Sequence, residues 1–361
     1  MRPGPDSVGR PLMPELHGRQ RITALGAYPV CAVYRFEIPL RAMIAHSWCS
    51  TALYGAAGGM FDDGAGIDGF EFTAGSPVLA QRHIALDRST VDMLRANACR
   101  YVHDIDDLLW AIPAANPGAA ELTAGLLAKV DTALRLADLV TTSTEPLAAA
   151  LERRGIPAVI IPNLLDPIDW PMMPKRSERS RLRVGWYGQR NVHAEDLRII
   201  ETVVAALDDE VDFVFYGDVP HALHARSEEL ESYPATPIEL FPTMLATLDL
   251  DILLAPLATN AFNECKSNLR LLQAGMLGYA VIATDIEPHR TLPVTLVPNN
   301  PAAWIGAIRD RIGELEAVRT EGRSLRRAVH ERYIIDAAWT ERIFTTWTRQ
   351  APPGDAVRGE S

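Results

Sequence analysis

The residues best suited to chemistry are Lys266 and Ser267, within the run FNECKSNLRLLQAGMLGYAVIAT at positions 262–284. They precede an apolar periodic segment, and this pattern predicts that they open a short helix with Ser267 as its N-cap. A cation at a helix N-terminus opposes the helix dipole, so its presence there calls for a reason. A bound phosphate or diphosphate would supply that reason. The alternative is a surface lysine at a helix end, which is the common fate of lysine.

A glycine-centred loop, GQRNVHAED, offers a second set of candidates. An apolar strand is predicted to end at Gly188, and a helix is predicted to begin near Ala194. Gly188 would let a ligand approach the backbone closely. Arg190 could meet a phosphate, and His193 could donate a hydrogen bond. The alternative is an ordinary strand–turn–helix with solvated polar residues.

Acidic residues and a histidine follow another predicted strand, in the segment YVHDIDDLLW. His103 is placed at the carboxyl end of that strand, where it could position or deprotonate a hydroxyl near neutral pH. A hydrogen-bonded core histidine is the competing interpretation. Asp104, Asp106 and Asp107 could hold Mg²⁺ or Mn²⁺, but we favour caps of the following turn. Arg35 could reach an acceptor or a phosphate, or lie on a helix surface.

The composition excludes several classes of protein. The formal charge of −11 argues against a general nucleic-acid surface and against strong attraction to anionic lipid. The four cysteines are far apart, which argues against a zinc site or a disulfide framework and suits a reducing cytosol. We find no signal-peptide core and no apolar run long enough to span a membrane. The GxSxG and Walker motifs are absent from the sequence.

The elements that must position these residues follow from short apolar runs that alternate with amphipathic segments. In the first half we predict strands at 21–25, 77–80, 100–103, 139–142 and 158–161, and helices at 35–48, 89–97, 122–137 and 146–154. In the second half we predict strands at 182–187, 211–216, 251–255 and 280–284, and helices at 195–207, 222–231, 302–316 and 336–349. The helix after Lys266 is predicted to carry Leu269, Leu272 and Met276 on one face and to break at Gly275 and Gly278. The alternation indicates two parallel sheets covered by helices, with ligands at the carboxyl ends of the strands.

Four segments of this chain resemble the GT-B glycosyltransferases, in particular the family-four-like bacterial enzymes of polysaccharide and O-antigen synthesis. They are HDIDDLLW, the run from VTTSTEPLAAALERRG to VIIPNLLD, VGWYGQRNVHAED, and FNECKSNLRLLQAGMLGYAVIAT. They occur in the family's order and span roughly residues 20–345 of the chain.

The resemblance implies an α/β GT-B fold in which two Rossmann-like parallel-sheet domains face a cleft. We expect a disordered segment at 1–20, an acceptor domain at 21–165, a linker at 166–181, a nucleotide-sugar-binding domain at 182–335, a helix at 336–350 crossing back to the first domain, and a disordered tail at 351–361. No metal or other cofactor would be required, because basic side chains and helix termini would neutralise the leaving diphosphate. The chain would act in the cytoplasm, with at most peripheral membrane contact.

The same resemblance assigns roles to individual residues. His103, Arg190 and Lys266 would be catalytic, with Arg190 and Lys266 stabilising the leaving group. Arg35 and Asp104 would line the acceptor side of the cleft. Donor-binding residues would be Gly188, Gln189, His193, Ser267, Asn268 and Gln273.

The chain departs from the family at two positions. The family commonly has a glutamate that grips the donor ribose, where this chain has Gln273, and an earlier glutamate where this chain has Cys265. Glutamine lacks the charge that roughly doubles the strength of such a hydrogen bond. The Lys266 helix together with the loop at 188–196 makes the leading hypothesis a retaining transferase that moves a sugar from an NDP-sugar to a saccharide or lipid-linked acceptor. The alternatives are a non-catalytic sugar-binding or partner subunit of the same fold and a sugar-nucleotide epimerase.

Overall fold

The structure is a computed structural model that describes residues 10–12, 20–55, 70–172, 177–189, 194–226 and 229–349. Two predicted site residues, Arg190 and His193, lie outside these ranges, as does the tail at 351–361. Within the segment 1–20, Arg10–Leu12 forms a short strand. None of the helices in the described ranges is both long and apolar enough to cross a membrane.

The chain divides into two compact units, one taking residues 1–110, 121–164 and 335–361 and the other taking 111–120 and 165–334, apart from the gaps named above. The strands are β1 (Arg10–Leu12), β2 (Gln20–Gly26), β3 (Cys49–Gly55), β4 (Glu71–Thr73), β5 (Val78–Gln81), β6 (Tyr101–Ile105), β7 (Leu139–Thr142), β8 (Val159–Ile160), β9 (Arg183–Gly188), β10 (Asp212–Gly217), β11 (Glu231–Tyr233), β12 (Ile252–Ala255), β13 (Ala280–Thr284) and β14 (Thr295–Val297). The α-helices are α1 (Pro29–Ala32), α2 (Ile38–Ala45), α3 (Arg88–Ala96), α4 (Gly118–Glu121), α5 (Ala124–Leu136), α6 (Glu145–Glu152), α7 (Ala194–Leu207), α8 (Phe241–Thr247), α9 (Ala261–Glu264), α10 (Leu269–Met276), α11 (Pro301–Arg309), α12 (Leu315–Arg332) and α13 (Ala337–Thr348).

The first unit is built on a six-stranded sheet in the order β3-β2-β5-β6-β7-β8, in which every neighbouring pair is parallel. Strands β5 and β6 are buried at every residue, as expected for central strands covered on both faces. The last helix, α13, belongs to this unit. It contributes Ile343, Phe344 and Trp347 to a core that also contains Phe36 and Trp48.

The second unit has its own six-stranded parallel sheet, in the order β11-β10-β9-β12-β13-β14. Its core packs α7 and α11 against the sheet, with Trp186 and Trp304 almost fully buried at the centre. Two parallel sheets covered by helices confirm the predicted fold class of two Rossmann-like units. The physical basis is the alternation of apolar strands and amphipathic helices, which leaves each sheet two faces to bury.

Side chains predicted to favour helix starts do cap several helices. The residues Asp87, Thr123, Thr144, Asn300 and Asp336 each accept a hydrogen bond from a backbone N–H in the first turn of the following helix. Such caps satisfy donors that have no partner within the helix and are worth about 1 kcal/mol each. Local chemistry therefore sets these helix starts.

Several elements differ from the sequence predictions. In place of the single helix predicted at 35–48, the structure has α1, a π-helical turn at Val33–Glu37 and then α2. Strand β3 follows them. The helix predicted at 222–231 is a 3₁₀-helix at His221–Arg226 followed by edge strand β11. Helices α8 and α12 and strand β14 were not predicted. The short edge strands have too few residues for a periodic pattern to emerge.

Candidate functional site

The second unit has a topological switch point at the carboxyl end of its sheet. From β9 the chain adds β10 and β11 on one side, and it later places β12 on the other side of β9. In open parallel sheets, the loops that leave such a pair of strands diverge and form a crevice for ligands. By this rule, the expected ligand-binding edge of the sheet is the one where β9 ends at Gly188 and β12 ends at Ala255.

Two glycines bring the backbones of β9 and β10 together at this end of the sheet. Gly188 has φ = 149° and Gly217 has φ = 100°, both in the region that favours glycine. A Cβ atom at Gly217 would lie 2.3 Å from the carbonyl oxygen of Gly188. The carbonyl of Gly188 also accepts the N–H of Asp218 at 3.0 Å. The predicted donor-binding residue Gly188 therefore ends β9 in close contact with the end of β10, and the next residue, Gln189, is exposed.

The prediction that Lys266 and Ser267 open the helix is wrong. Helix α10 begins at Leu269, Asn268 holds the N-cap position, and its side chain makes no capping bond. Asn268 donates instead to Thr291 Oγ1 at 2.8 Å. Lys266 and Ser267 lie in the loop between α9 and α10, where both are half-buried, and the Lys266 ammonium lies 4.8 Å from the centroid of the Phe262 ring. A ligand role for Lys266 therefore depends on this loop and its cation–π contact rather than on the first helical turn.

Gln273 is buried within α10, and its side-chain oxygen is already engaged. The hydroxyl of Tyr187, the residue before Gly188, donates to Gln273 Oε1. Gln273 is 6% exposed and Tyr187 is 8% exposed, so this bond ties α10 to the end of β9 inside the unit. The contact between Gln273 and the donor stays a prediction. In this arrangement Gln273 Oε1 already accepts a hydrogen bond from Tyr187, so a hydroxyl of the donor would have to share that oxygen.

Sequence reasoning missed Arg270 as a site residue. It is the second residue of α10, and its guanidinium lies 4.8 Å from the ring centroid of Tyr187 and 5.8 Å from that of Trp186. Trp186 and Tyr187 are the last residues of β9 before Gly188, so Arg270 stands beside the switch point. The signal that could have found it is its place four positions after Lys266 in the same run.

His103 lies in the core of the first unit. It is 0% exposed, and both ring nitrogens are bonded: the Tyr101 hydroxyl lies 2.7 Å from Nδ1 and the carbonyl oxygen of Arg82 lies 2.9 Å from Nε2. Because a carbonyl only accepts, Nε2 carries the proton and Nδ1 accepts from tyrosine. Burial lowers the pKa of His103 to about 4, so the ring is neutral at pH 7. This geometry favours the core-histidine interpretation, and a contact with the sugar stays a prediction that would require one bond to be given up.

Arg35 and Asp104, predicted to line the acceptor side, meet as a buried pair. Arg35 Nε donates to Asp104 Oδ1 at 3.0 Å and Nη2 donates to Oδ2 at 2.7 Å, while the residues are 3% and 1% exposed. Arg35 also donates to Asn163, and Thr141 donates to Asp104. Burial opposes the positive charge of Arg35, but Asp104 outweighs it and raises the arginine pKa. The pair joins the π-helical turn to β6 and is enclosed by protein. Contact between these two residues and an acceptor stays a prediction, and this packing leaves almost no part of either side chain exposed to make it.

A second ionic cluster lies directly after the ends of β5 and β6. Arg82, in a left-handed conformation with φ = 54°, donates to Asp106 at 3.2 Å and to Asp107 at 2.8 Å. Burial and the Asp106 charge raise the pKa of the nearby Cys31 thiol well above its usual value, so this thiol stays protonated. The carboxylates pair with Arg82 rather than gathering as ligands, and no group of three or more metal-binding side chains occurs within the described ranges.

No protein-family model and no curated protein matches this chain. Among solved structures, HepE from Anabaena in complex with UDP has a TM-score of 0.62 at 12% identity, over 92% of this chain and 100% of HepE. A glycosyltransferase from Rickettsia africae has a TM-score of 0.62 at 11% identity, over 91% of this chain and 98% of that chain. The catalytic domain of starch synthase IV from Arabidopsis thaliana, bound to ADP and acarbose, has a TM-score of 0.59 at 11% identity, over 92% of this chain and 99% of that domain.

At such low identity the likeness establishes the fold. The chain has the GT-B architecture of two Rossmann-like units, each with its own parallel sheet. Many functions share one fold, so activity has to be argued from the residues of the site.

Proposed function

We propose that this chain is an NDP-sugar-dependent glycosyltransferase of the family-four-like, bacterial polysaccharide type. The observation that carries the proposal is the Lys266 loop and α10 in the second unit, whose sheet has its switch point at the end of β9, at Gly188. This loop and helix carry the cations Lys266 and Arg270, and Arg270 lies beside the last residues of β9. Cations at the carboxyl end of a parallel sheet suit a diphosphate. Since HepE has been solved with UDP and with UDP-glucose, UDP-sugars are the first donors to test.

In the proposed reaction a hexosyl group passes to a hydroxyl of a saccharide or lipid-linked acceptor with retention of configuration. The bond from the anomeric carbon to the phosphate oxygen breaks, and the acceptor oxygen forms a new bond on the same face. The acceptor proton leaves with the nucleoside diphosphate. Negative charge grows on the diphosphate as the bond breaks, so Lys266 stabilises the transition state more than the ground state. Basic side chains would do this without a metal, in a cytoplasmic enzyme of cell-surface polysaccharide synthesis.

The test is nucleotide release from a panel of UDP-, ADP-, GDP- and dTDP-sugars with candidate saccharide acceptors. Replacing Lys266 by alanine should lower kcat by about 10²- to 10³-fold, as loss of one preorganised transition-state donor does. The chain contains only three lysines, so Lys129→Ala, on the exposed surface of α5, is a matched control that should leave kcat unchanged. Equal rates for wild type and Lys266→Ala would remove the assigned role.

The same assays separate the alternatives. An epimerase would convert the donor in mixtures without acceptor, so a new sugar nucleotide there would replace the transferase proposal. A non-catalytic subunit is suggested by Gln273 and Cys265, which stand where the family has glutamates. Such a subunit would release no nucleotide with any donor and acceptor pair, whether or not calorimetry detects binding.

A further inference from the structure

We propose that Asp196 and Asn263 are positioning residues that fix the loop carrying Lys266. The inference rests on the proposed function for the reaction in which Lys266 acts. The anchoring of the loop stands separately, on a chain of hydrogen bonds that runs from helix α7 to the backbone of Lys266.

The first link joins α7 to the loop that follows β12. The N–H of Ala258 donates to Asp196 Oδ1 at 2.6 Å, and Asp196 is only 5% exposed. A hydrogen bond to an ionised carboxylate is roughly twice as strong as one between neutral groups. Asp196 is the third residue of α7, where the helix dipole stabilises its negative charge. A buried carboxylate therefore fixes the backbone shortly after the chain leaves β12.

The next links lead along α9 to Lys266. The side chain of Asn263, which is also 5% exposed, donates through Nδ2 to the carbonyl oxygen of Ala258 at 2.7 Å. The carbonyl oxygen of Asn263 accepts the N–H of Lys266 at 3.2 Å. Asp196 and Asn263 thus hold both backbone polar groups of Ala258, and Asn263 also holds the backbone of Lys266. The position of the lysine depends on this pair.

Other bonds pin the same loop without using Asp196. The N–H of Leu257 donates to Thr284 Oγ1 at 2.9 Å, at the end of β13. Asn260 Oδ1 caps α9 by accepting the N–H of Asn263 at 2.9 Å. Removing the Asp196 carboxylate should therefore release one anchor while the sheet and α9 stay in place. The expected consequence is a local movement of the loop rather than unfolding of the unit.

An accurate position matters for a cation that acts on the transition state. Lys266 would stabilise charge that grows on the diphosphate as the bond breaks, and a displacement of about 1 Å can cost about 10²-fold in rate. The Phe262 ring, 4.8 Å from the ammonium, orients the side chain, but the backbone that carries it depends on Asn263. Loss of either anchor should therefore lower kcat more than it raises KM for the donor.

The experiment combines steady-state kinetics of nucleotide release with hydrogen–deuterium exchange on the full chain. Asp196→Ala and Asn263→Ala should each lower kcat by about 10- to 100-fold and change the donor KM by less than about threefold. Asp196→Asn keeps an oxygen acceptor without the charge, so it should recover part of the rate. Asp87→Ala is the matched control, because Asp87 also accepts a backbone N–H, at 2.8 Å, but caps α3 in the first unit. It should leave kcat and KM unchanged.

Double variants separate positioning from general support of the fold. If Asp196 and Asn263 act through Lys266, neither alanine change should slow a chain that already carries Lys266→Ala by more than about twofold. Purely structural losses would add instead, so each double variant would be slower than Lys266→Ala by the full factor of the single change. Such an additive result would overturn the inference.

Hydrogen–deuterium exchange tests the anchoring without any activity. Peptides spanning 257–267 should exchange about tenfold faster in Asp196→Ala and Asn263→Ala, whereas peptides of β12 and β13 should keep their protection. That result, with no nucleotide release by the wild type from any donor, would support the anchored loop and contradict the transferase. Unchanged exchange at 257–267 in the folded variants would overturn the inference, and so would faster exchange with full kcat. If an alanine variant does not fold, Asp196→Asn provides the same comparison.

Discussion

At the scale of single residues, the same side-chain chemistry has opposite consequences in the two units. Arg35 is paired with Asp104 in a core, whereas Arg270 keeps a buried nitrogen without an acceptor beside the end of β9. Burial keeps His103 neutral at pH 7, and both of its ring nitrogens already have protein partners, so it is a structural element rather than a ready acid or base. Whether a polar residue is available for chemistry therefore depends on its partners more than on its type.

The burial of His103 predicts how stability depends on pH. Its folded pKa of about 4 lies below the ordinary value of 6.5, so the unfolded chain binds the proton more readily between these limits. The contribution of His103 is complete above pH 6.5 and declines as the pH falls towards 4. It amounts to on the order of 3 kcal/mol, at about 1.4 kcal/mol per pKa unit.

Urea unfolding between pH 7 and pH 4.5 tests this dependence. His103→Gln should flatten the curve, whereas His221→Gln, on the exposed 3₁₀-helix, should leave its slope unchanged. A slope in His103→Gln equal to that of the wild type would contradict the prediction. His289, whose pKa is also lowered to about 4, will keep part of the slope in both variants.

At the scale of elements, glycines set how closely α12 packs on α10 and on the turn before β13. A Cβ atom at Gly275, inside α10, would lie 2.6 Å from Val329 Cγ2 on α12. A Cβ atom at Gly322, on α12, would lie 2.0 Å from the carbonyl oxygen of Gly278. The predicted break at Gly275 is therefore wrong, since α10 continues through it to Met276 and Gly278 forms the turn with φ = 66°. The glycine permits close helix packing at that position.

Substituting Gly322 by alanine should destabilise the second unit. The obstacle is backbone on both sides, at Gly278 and Ala280, so no side-chain rotation relieves it. We expect a loss of about 2–4 kcal/mol in the free energy of unfolding, typical of overpacking that backbone shifts must absorb. Gly306→Ala on α11 is the control: nothing lies within 4 Å of its Cβ position, so it should gain up to about 1 kcal/mol from helix propensity. Comparable denaturation midpoints for the two variants would contradict this account.

At the scale of the whole molecule, the chain returns to the first unit for its final helix. The side chains of α13 complete a core there, with Trp347 packed edge to face on Phe36 and Phe344 on Trp48, at centroid distances of 6.1 and 5.6 Å. Arg100 donates to the last carbonyls of the helix, at Thr346 and Trp347. The first unit is therefore made of segments that are far apart in sequence, and it cannot be complete until the end of the chain is present.

Ending the chain at Ile334 should unfold or loosen the first unit selectively. Each large apolar side chain lost from the core costs about 1.5–3 kcal/mol, and three of them together approach the total stability of a domain. Hydrogen–deuterium exchange should show lost protection in β2 and β5 but retained protection in β9, β12 and β13. A chain that ends at Arg349 is the control and should match the full chain. Equal loss of protection in both sheets would contradict independent cores.

The sequence by itself determined the architecture, because hydrophobic periodicity reports which faces of each local segment must be buried. Strands β7 and β13 match their predicted bounds, and the alternation of elements leads to two parallel sheets. Motif order pointed to the GT-B fold that the solved structures share. These properties are encoded within stretches of about ten residues, so one sequence is enough to read them.

Only the tertiary structure decided which polar residues are available. Arg35 and Asp104 are 69 positions apart and Tyr187 and Gln273 are 86 positions apart, so no local pattern announces that they meet. The same holds for Arg270, whose stacking on Tyr187 depends on α10 docking beside β9. Pairing between distant polar groups is a property of packing, and it determines whether a charge is neutralised inside the protein or offered to a ligand.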